Sequence, residues 1–148
     1  MSERCEVTRV GRYTVGADRL WALVSDFGGI ADILDGVASC SLDGEGVGAI
    51  RSIPAGGGTV RERLDELDPD AHRLTYSIVD GPMPFVDYSA TMAITEDGKD
   101  ACTLTWTGSF QPDGIPADKA ERLAGGIYEG GIAGFRAALD GRSGDGGS

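Results

Sequence analysis

The sequence predicts an α+β fold: a seven-stranded, curved antiparallel sheet around one long C-terminal helix, with two short helices after the first strand. Three observations predict it. Between Val86 and Phe110, two runs alternate apolar and polar residues, as half-buried antiparallel strands do. Over residues 116–139, Ala120, Leu123, Ala124, Ile127, Tyr128, Ile132, Phe135, Ala138 and Leu139 recur at helical spacing, with Lys119, Arg122, Glu129 and Arg136 opposite. Strand-like and helical segments are also segregated along the chain, which favours a sheet covered on one face. Such a sheet, curved around one helix, can enclose a hollow instead of closing flat.

Residues 7–15 hold enough β-branched and aromatic side chains for an opening strand. Gly16-Ala17-Asp18 starts a short helix with Leu20, Trp21, Val24 and Phe27 on one side. Gly28-Gly29 is expected to break it, and residues 30–34 read as a second helical turn ended by Asp35-Gly36. Strand-like runs at 37–42 and 47–53 flank Asp43-Gly44-Glu45-Gly46, a hairpin signal. These glycines lack the spacing of a dinucleotide fingerprint, and no Gly-Lys-Ser/Thr follows.

Residues 53–58, with three consecutive glycines, read as a flexible connection to a strand at 59–67. Pro69-Asp70 turns the chain into a strand at 73–79. A second special loop, Asp80-Gly81-Pro82-Met83-Pro84-Phe85, follows. Val86, Tyr88, Ala90, Met92 and Ile94 then share one face. After a turn at 96–100, Cys102, Leu104, Trp106, Gly108 and Phe110 do the same.

Pro116 suits the first turn of the last helix, and Asp118 and Glu121 complement its positive end. Five glycines (125, 126, 130, 131 and 134) interrupt it, each costing about 1 kcal/mol relative to alanine. Either they are incidental in a glycine-rich chain, or they let something approach the helix backbone above a hollow. Residues 1–140 read as one domain and 141–148 as a polar, disordered tail.

The 148 residues carry a net charge of −11, which argues against nucleic acid or an anionic membrane surface as partner. No run reaches 18 apolar residues and the first residues are not a signal peptide, so a cytoplasmic location is expected. Cys5, Cys40 and Cys102 are odd in number and widely spaced, and read as reduced thiols. With His72 as the one histidine, neither a metal site nor a cofactor is expected.

The order of elements resembles the START/Bet v 1-like (SRPBCC) superfamily, in its bacterial polyketide cyclase/dehydrase-like branch. Leu20-Trp21-Ala22-Leu23-Val24-Ser25-Asp26-Phe27 is similar to the family's first helix. Gly46-Val47-Gly48-Ala49-Ile50-Arg51 and Glu62-Arg63-Leu64-Asp65 are similar to its third and fourth strands. The resemblance implies a helix-grip fold with a pocket for a hydrophobic small molecule. In the plant abscisic acid receptors, which the same segments resemble, Ser52-Ile53-Pro54-Ala55 falls on the gate loop and Met83-Pro84-Phe85 on the latch loop. Carried over by residue, the pocket wall would comprise Glu62, Leu64, Tyr76 and Ile78, with Tyr88, Ala90, Met92 and Trp106 from the hairpin. The long helix would add Leu123, Ile127 and Gly131. The lysine that grips a ligand carboxylate in the plant receptors falls on Leu34, which argues against a carboxylated hormone.

Glu62 shares a strand face with Val60 and Leu64, so its carboxylate should point inward, where an unpaired charge is costly. It either pairs with a neighbour such as Arg51 or becomes a usable acid or base. Tyr76 and Tyr88 could each offer a hydroxyl to a substrate or serve as ordinary core tyrosines. Glu62, Tyr76 and Tyr88 are therefore the candidate catalytic residues. His72 is expected to be solvated in a polar turn. Three functions stay open: binding of a hydrophobic (polyketide-, lipid- or aromatic-like) molecule, a cofactor-independent polyketide cyclase or dehydratase, and a protein-interaction domain with a vestigial pocket.

Overall fold

The computed structural model describes residues 4–34, 37, 39–55 and 57–140. The chain runs through β1 (Cys5–Tyr13), α1 (Ala17–Val24), a 3-10 helix (Phe27–Asp32), β2 (Ser41–Asp43) and β3 (Ile50–Ala55). It continues through β4 (Gly58–Asp68), β5 (Arg73–Asp80), β6 (Phe85–Gly98), β7 (Ala101–Pro112) and α2 (Ala117–Leu139). These form one antiparallel sheet in the order β1-β7-β6-β5-β4-β3-β2, curved about the long helix as the periodicities predicted. β1 is the one strand out of sequence order; it pairs with β7 from Cys5–Phe110 to Tyr13–Cys102.

Burial follows the alternation closely in β7, where Cys102, Leu104, Trp106, Gly108 and Phe110 are buried between half-exposed threonines and serine. α2 buries Ala120, Ala124, Tyr128, Gly131, Ile132 and Phe135. It leans on β1 and, less extensively, β7, leaving the middle of the sheet uncovered. Polar anchors hold it there. The Tyr13 hydroxyl donates to the Ile132 carbonyl at 2.9 Å, Arg9 reaches Glu129 at 2.8 Å, and Arg136 donates to the Arg12 carbonyl at 2.7 Å.

Three of the five α2 glycines are contact points. A Cβ at Gly125 would strike the Arg9 guanidinium, at Gly131 the Trp106 ring, and at Gly134 the carbonyl of Ile33. They are closely approached, not incidental.

Several boundaries differ from expectation. Gly28 and Gly29 do not break the chain but lie inside the 3-10 helix, where a Cβ at Gly29 would stand 2.5 Å from the Asp26 carboxylate. Of the strand expected at 37–42, only Ser41 and Leu42 are strand, while Asp35, Gly36 and Ala38 lie outside the described residues. Gly44, Gly46 and Gly48 take left-handed φ of 94°, 67° and 97°, so the turn is long and β3 starts at Ile50 rather than at residue 47.

The connection expected at 53–58 is instead the end of β3 and a tight hairpin. Ala55 pairs with Gly58, and Gly57 turns the chain at φ 89°. Gly56 lies outside the described residues, as does the tail expected at 141–148. Pro54 is tolerated because β2 ends opposite Ser52, leaving β3 an edge at that point.

Val86 does not share the inward face of Tyr88. The register shifts between Val86 and Ser89, with Asp87 at φ 54°, so Val86 turns outward while Phe85 and Tyr88 both turn inward. Arg4 secures this bulge by donating to the Asp87 carbonyl at 2.8 Å.

Candidate functional site

A cavity of about 550 Å3 lies between the sheet and the uncovered flank of α2. Its helical wall is the stripe Leu123, Gly126, Ile127 and Gly130, spaced as one face of a helix, with Arg122 beside it. Gly126 and Gly130 meet nothing within 4 Å where a Cβ would stand, so bare helix backbone faces the space. The sheet contributes Val60 and Glu62 from β4, Tyr76 and Ile78 from β5, and Tyr88 from β6. Ile53 and Pro54 from the β3–β4 hairpin and Met83 and Phe85 from the β5–β6 loop form one end, while Leu34 and Val37 close the side. Leu123 is 40% exposed and marks the opening.

Two polar groupings interrupt this apolar wall. In the first, Arg51 and Glu62 are cross-strand partners on β3 and β4, which places their side chains side by side. Both Nε and Nη2 of Arg51 lie 2.7 Å from the same oxygen, Glu62 Oε1. The side chains are only 7% and 13% exposed. Arg51 also donates to the Phe27 carbonyl at 3.1 Å and lies over the rings of Phe27 and Tyr76, 4.0 and 5.0 Å from their centroids. The carboxylate predicted to point inward is therefore the acidic half of a buried ion pair.

The second grouping is aromatic. The Trp106 indole N–H donates to the Tyr76 hydroxyl at 3.2 Å. That hydroxyl lies 3.4 Å from the hydroxyl of Tyr88, which in turn is hydrogen-bonded to the hydroxyl of Tyr128. Gly108 makes this possible, since a Cβ there would collide with the Tyr128 hydroxyl. Trp106 stacks on Tyr128 with centroids 4.8 Å apart. Burial pushes the Tyr76 hydroxyl up to about 12; the Glu62 charge adds to this and Arg51 opposes it. Tyr88 and Tyr128 are raised as well, above all by burial. All three are therefore neutral hydrogen-bonding groups at ordinary pH, not phenolate bases.

The sequence profile of a family described as polyketide cyclase / dehydrase and lipid transport matches residues 4–140. The chain belongs to this family. Among solved structures, XoxI from Bacillus cereus matches at 27% identity and a TM-score of 0.84, over 92% of this chain and 96% of that one. The Zhui aromatase/cyclase from a Streptomyces species matches at 18% identity and a TM-score of 0.77, over 99% of both chains. Norcoclaurine synthase from Thalictrum flavum, solved with a transition-state analogue, matches at 15% identity and a TM-score of 0.77, over 96% of this chain and 98% of that one. The latter two show likeness of fold alone. The helix-grip architecture and the START/Bet v 1-like superfamily follow from these matches.

Of the wall residues that the resemblance implied, the cyclase-family fold brings Ile53, Pro54, Glu62, Tyr76, Ile78, Met83, Phe85, Tyr88, Leu123 and Ile127 to one cavity. Leu64, Ala90, Met92, Trp106 and Gly131 stand behind the wall, not on it, all buried. Trp106 donates to Tyr76 on the wall and stacks on Tyr128, and its ring occupies the notch at Gly131. Ala55 closes β3 opposite Gly58.

Sequence reasoning missed Val37, Val60, Arg122, Gly126 and Gly130 at the cavity and Tyr128 behind it. Val60 shares the face of Glu62 by alternation, and Gly126 and Gly130 share the stripe of Leu123 and Ile127, so both signals were present. Tyr128 was read as core; the inward Gly108 was its signal.

His72 is away from the cavity and is not solvated. Its side chain is 13% exposed, bonded to Asp18 at 3.0 Å and set against the Trp21 ring. Among the described residues, no group of three or more His, Cys, Asp or Glu could hold a metal ion. Nor is any described helix long and apolar enough to cross a membrane.

Proposed function

We propose that this protein binds a hydrophobic small molecule, polyketide-, lipid- or aromatic-like, between β4–β6 and the open flank of α2. The observation that carries the reading is an unfilled space of about 550 Å3, within the usual range of small-molecule sites, whose wall is apolar apart from a few convergent polar groups. The interaction-domain alternative needs a filled interior, and the cavity argues against it. Family membership supports a ligand-binding or cyclase role without naming the ligand.

Native mass spectrometry of the protein isolated from its own host tests this directly. The expected result is one retained small molecule per chain, released by denaturation and displaced by N-phenyl-1-naphthylamine. A bare chain that also fails to enhance the fluorescence of that probe would refute the reading.

One observation favours a second function, a cofactor-independent cyclase or dehydratase. Arg51 engages only Oε1 of Glu62, and Oε2 has no hydrogen-bond partner among the described residues although Glu62 lines the cavity. A carboxylate oxygen facing bound substrate, with neutral tyrosine hydroxyls on the same wall, can move a proton while the cavity holds a reactive chain folded. Under this reading Glu62→Gln lowers turnover of a polyketide-like substrate by two to four orders of magnitude, roughly the loss of a general acid or base.

A further inference from the structure

The aromatic network holds more donors than it uses. Four protons are available to it: the Trp106 N–H and the hydroxyls of Tyr76, Tyr88 and Tyr128. Three hydrogen bonds join these groups, and none of the four has another among the described residues. Each bond takes one proton. One hydroxyl proton is therefore left without an acceptor.

Packing decides where that proton lies. Tyr128 is fully buried, stacked on Trp106, with its hydroxyl pressed against Gly108. A proton turned away from Tyr88 would meet no acceptor there, and a buried donor without a partner is strongly disfavoured. Tyr128 must then donate to Tyr88. The Trp106 proton is committed to Tyr76. The uncommitted proton belongs to Tyr76 or Tyr88, the two members of the network on the cavity wall.

Extending the cavity-binding reading on which it rests, we propose that the inner end of the ligand carries a carbonyl oxygen, of the ketone, quinone or lactone kind, received by the Tyr76–Tyr88 hydroxyl pair. A purely hydrocarbon end would leave the donor unsatisfied. Tyr128 donates to Tyr88 and so takes none of the pair's own protons, which leaves one of them to the cavity. Burial raises both hydroxyls above the ordinary tyrosine value, so the donor persists at neutral pH.

The test uses two probes of nearly equal shape, 2-acetylnaphthalene and 2-ethylnaphthalene, titrated calorimetrically into wild type, Tyr128→Phe and the double variant Tyr76→Phe/Tyr88→Phe. The ratio of ketone to hydrocarbon affinity should be about five- to tenfold higher in wild type than in the double variant, the worth of one net hydrogen bond. Tyr128→Phe should keep most of that ratio. The infrared carbonyl stretch of the bound ketone should lie below its value in hexane for wild type and return to it in the double variant. The wild-type frequency decides the matter even if the double variant does not fold. An unshifted carbonyl, or an unchanged ratio while both probes bind, overturns the carbonyl assignment and leaves the cavity reading standing. Failure of both probes to bind folded wild type overturns both.

Discussion

The five glycines of α2 divide into two classes with opposite expected behaviour on substitution by alanine. Gly126 and Gly130 are helical, and a Cβ there meets nothing within 4 Å. Each alanine should therefore stabilise by about 1 kcal/mol, mostly by narrowing the unfolded chain's freedom. For a chain of this size that is roughly 2–4 °C in Tm each, or about 4–8 °C for the pair. Gly134→Ala sets a methyl against the backbone carbonyl of Ile33, and Gly131→Ala sets one against the Trp106 ring. Neither neighbour can step aside: one is main chain and the other is held by Tyr76 and Tyr128. Overpacking of this kind costs about 1–3 kcal/mol, enough to cancel or exceed the propensity gain. Gly125→Ala meets only the flexible end of Arg9 and should be nearly neutral. Thermal denaturation of the five single variants, with N-phenyl-1-naphthylamine titration alongside, tests the set. Gly126→Ala and Gly130→Ala should gain Tm yet weaken the probe, because the new methyls narrow the cavity floor. If those two lose stability, or if Gly134→Ala gains it, the division into open and closely approached glycines is wrong.

Removing half of the buried ion pair should be costly: Glu62→Gln leaves Arg51 charged and 7% exposed, and chemical denaturation should show a loss of about 3 kcal/mol or more. An unchanged midpoint would mean that the pair is not formed in solution. Gly108→Ala should cost stability and disrupt the aromatic network, because its methyl takes the place of the Tyr128 hydroxyl; near-ultraviolet circular dichroism reads the change. All four tyrosines of the chain have raised pKa values, Tyr13 and Tyr76 to about 12 against an ordinary 10. The folded state holds these protons more tightly than the unfolded state, so the stability is fully present below pH 10 and is lost as pH rises through 12. The loss is about 1.4 kcal/mol per tyrosine for each pH unit in that window. Tyrosinate absorbance should therefore rise cooperatively with unfolding; a gradual titration centred near 10 in folded protein would contradict the burial.

The sheet and the long helix were legible because their periodicities, 2 and 3.6, last long enough to outweigh local exceptions. Over β7 the alternation runs unbroken from Cys102 to Phe110. The pattern failed where one residue changes phase. The bulge at Asp87 turns Val86 outward and Phe85 inward, and alternation alone would have needed no such exception. The glycine turn at 44–48 was misjudged similarly: its composition signalled a hairpin, but three left-handed φ values lengthened it at the expense of β3.

The site was harder to read because the sequence distinguishes inward from outward, not wall from core. Ala90, Met92, Trp106 and Gly131 all point inward, yet none borders the cavity. The difference arises from the lateral position of α2, which no local pattern encodes. That position is set by contacts more than 100 residues apart in sequence: Tyr13 with Ile132, Arg9 with Glu129, and Arg136 with Arg12. They draw the helix toward β1, so Trp106 on β7 is covered and Tyr76 and Glu62 on β5 and β4 are not. Had the helix sat over the centre of the sheet, the same inward residues would have made a solid core. The open flank of α2 then needs no large side chains, and Gly126 and Gly130 keep it bare. The hollow is thus a consequence of where the helix is anchored, and the two open glycines keep it from filling.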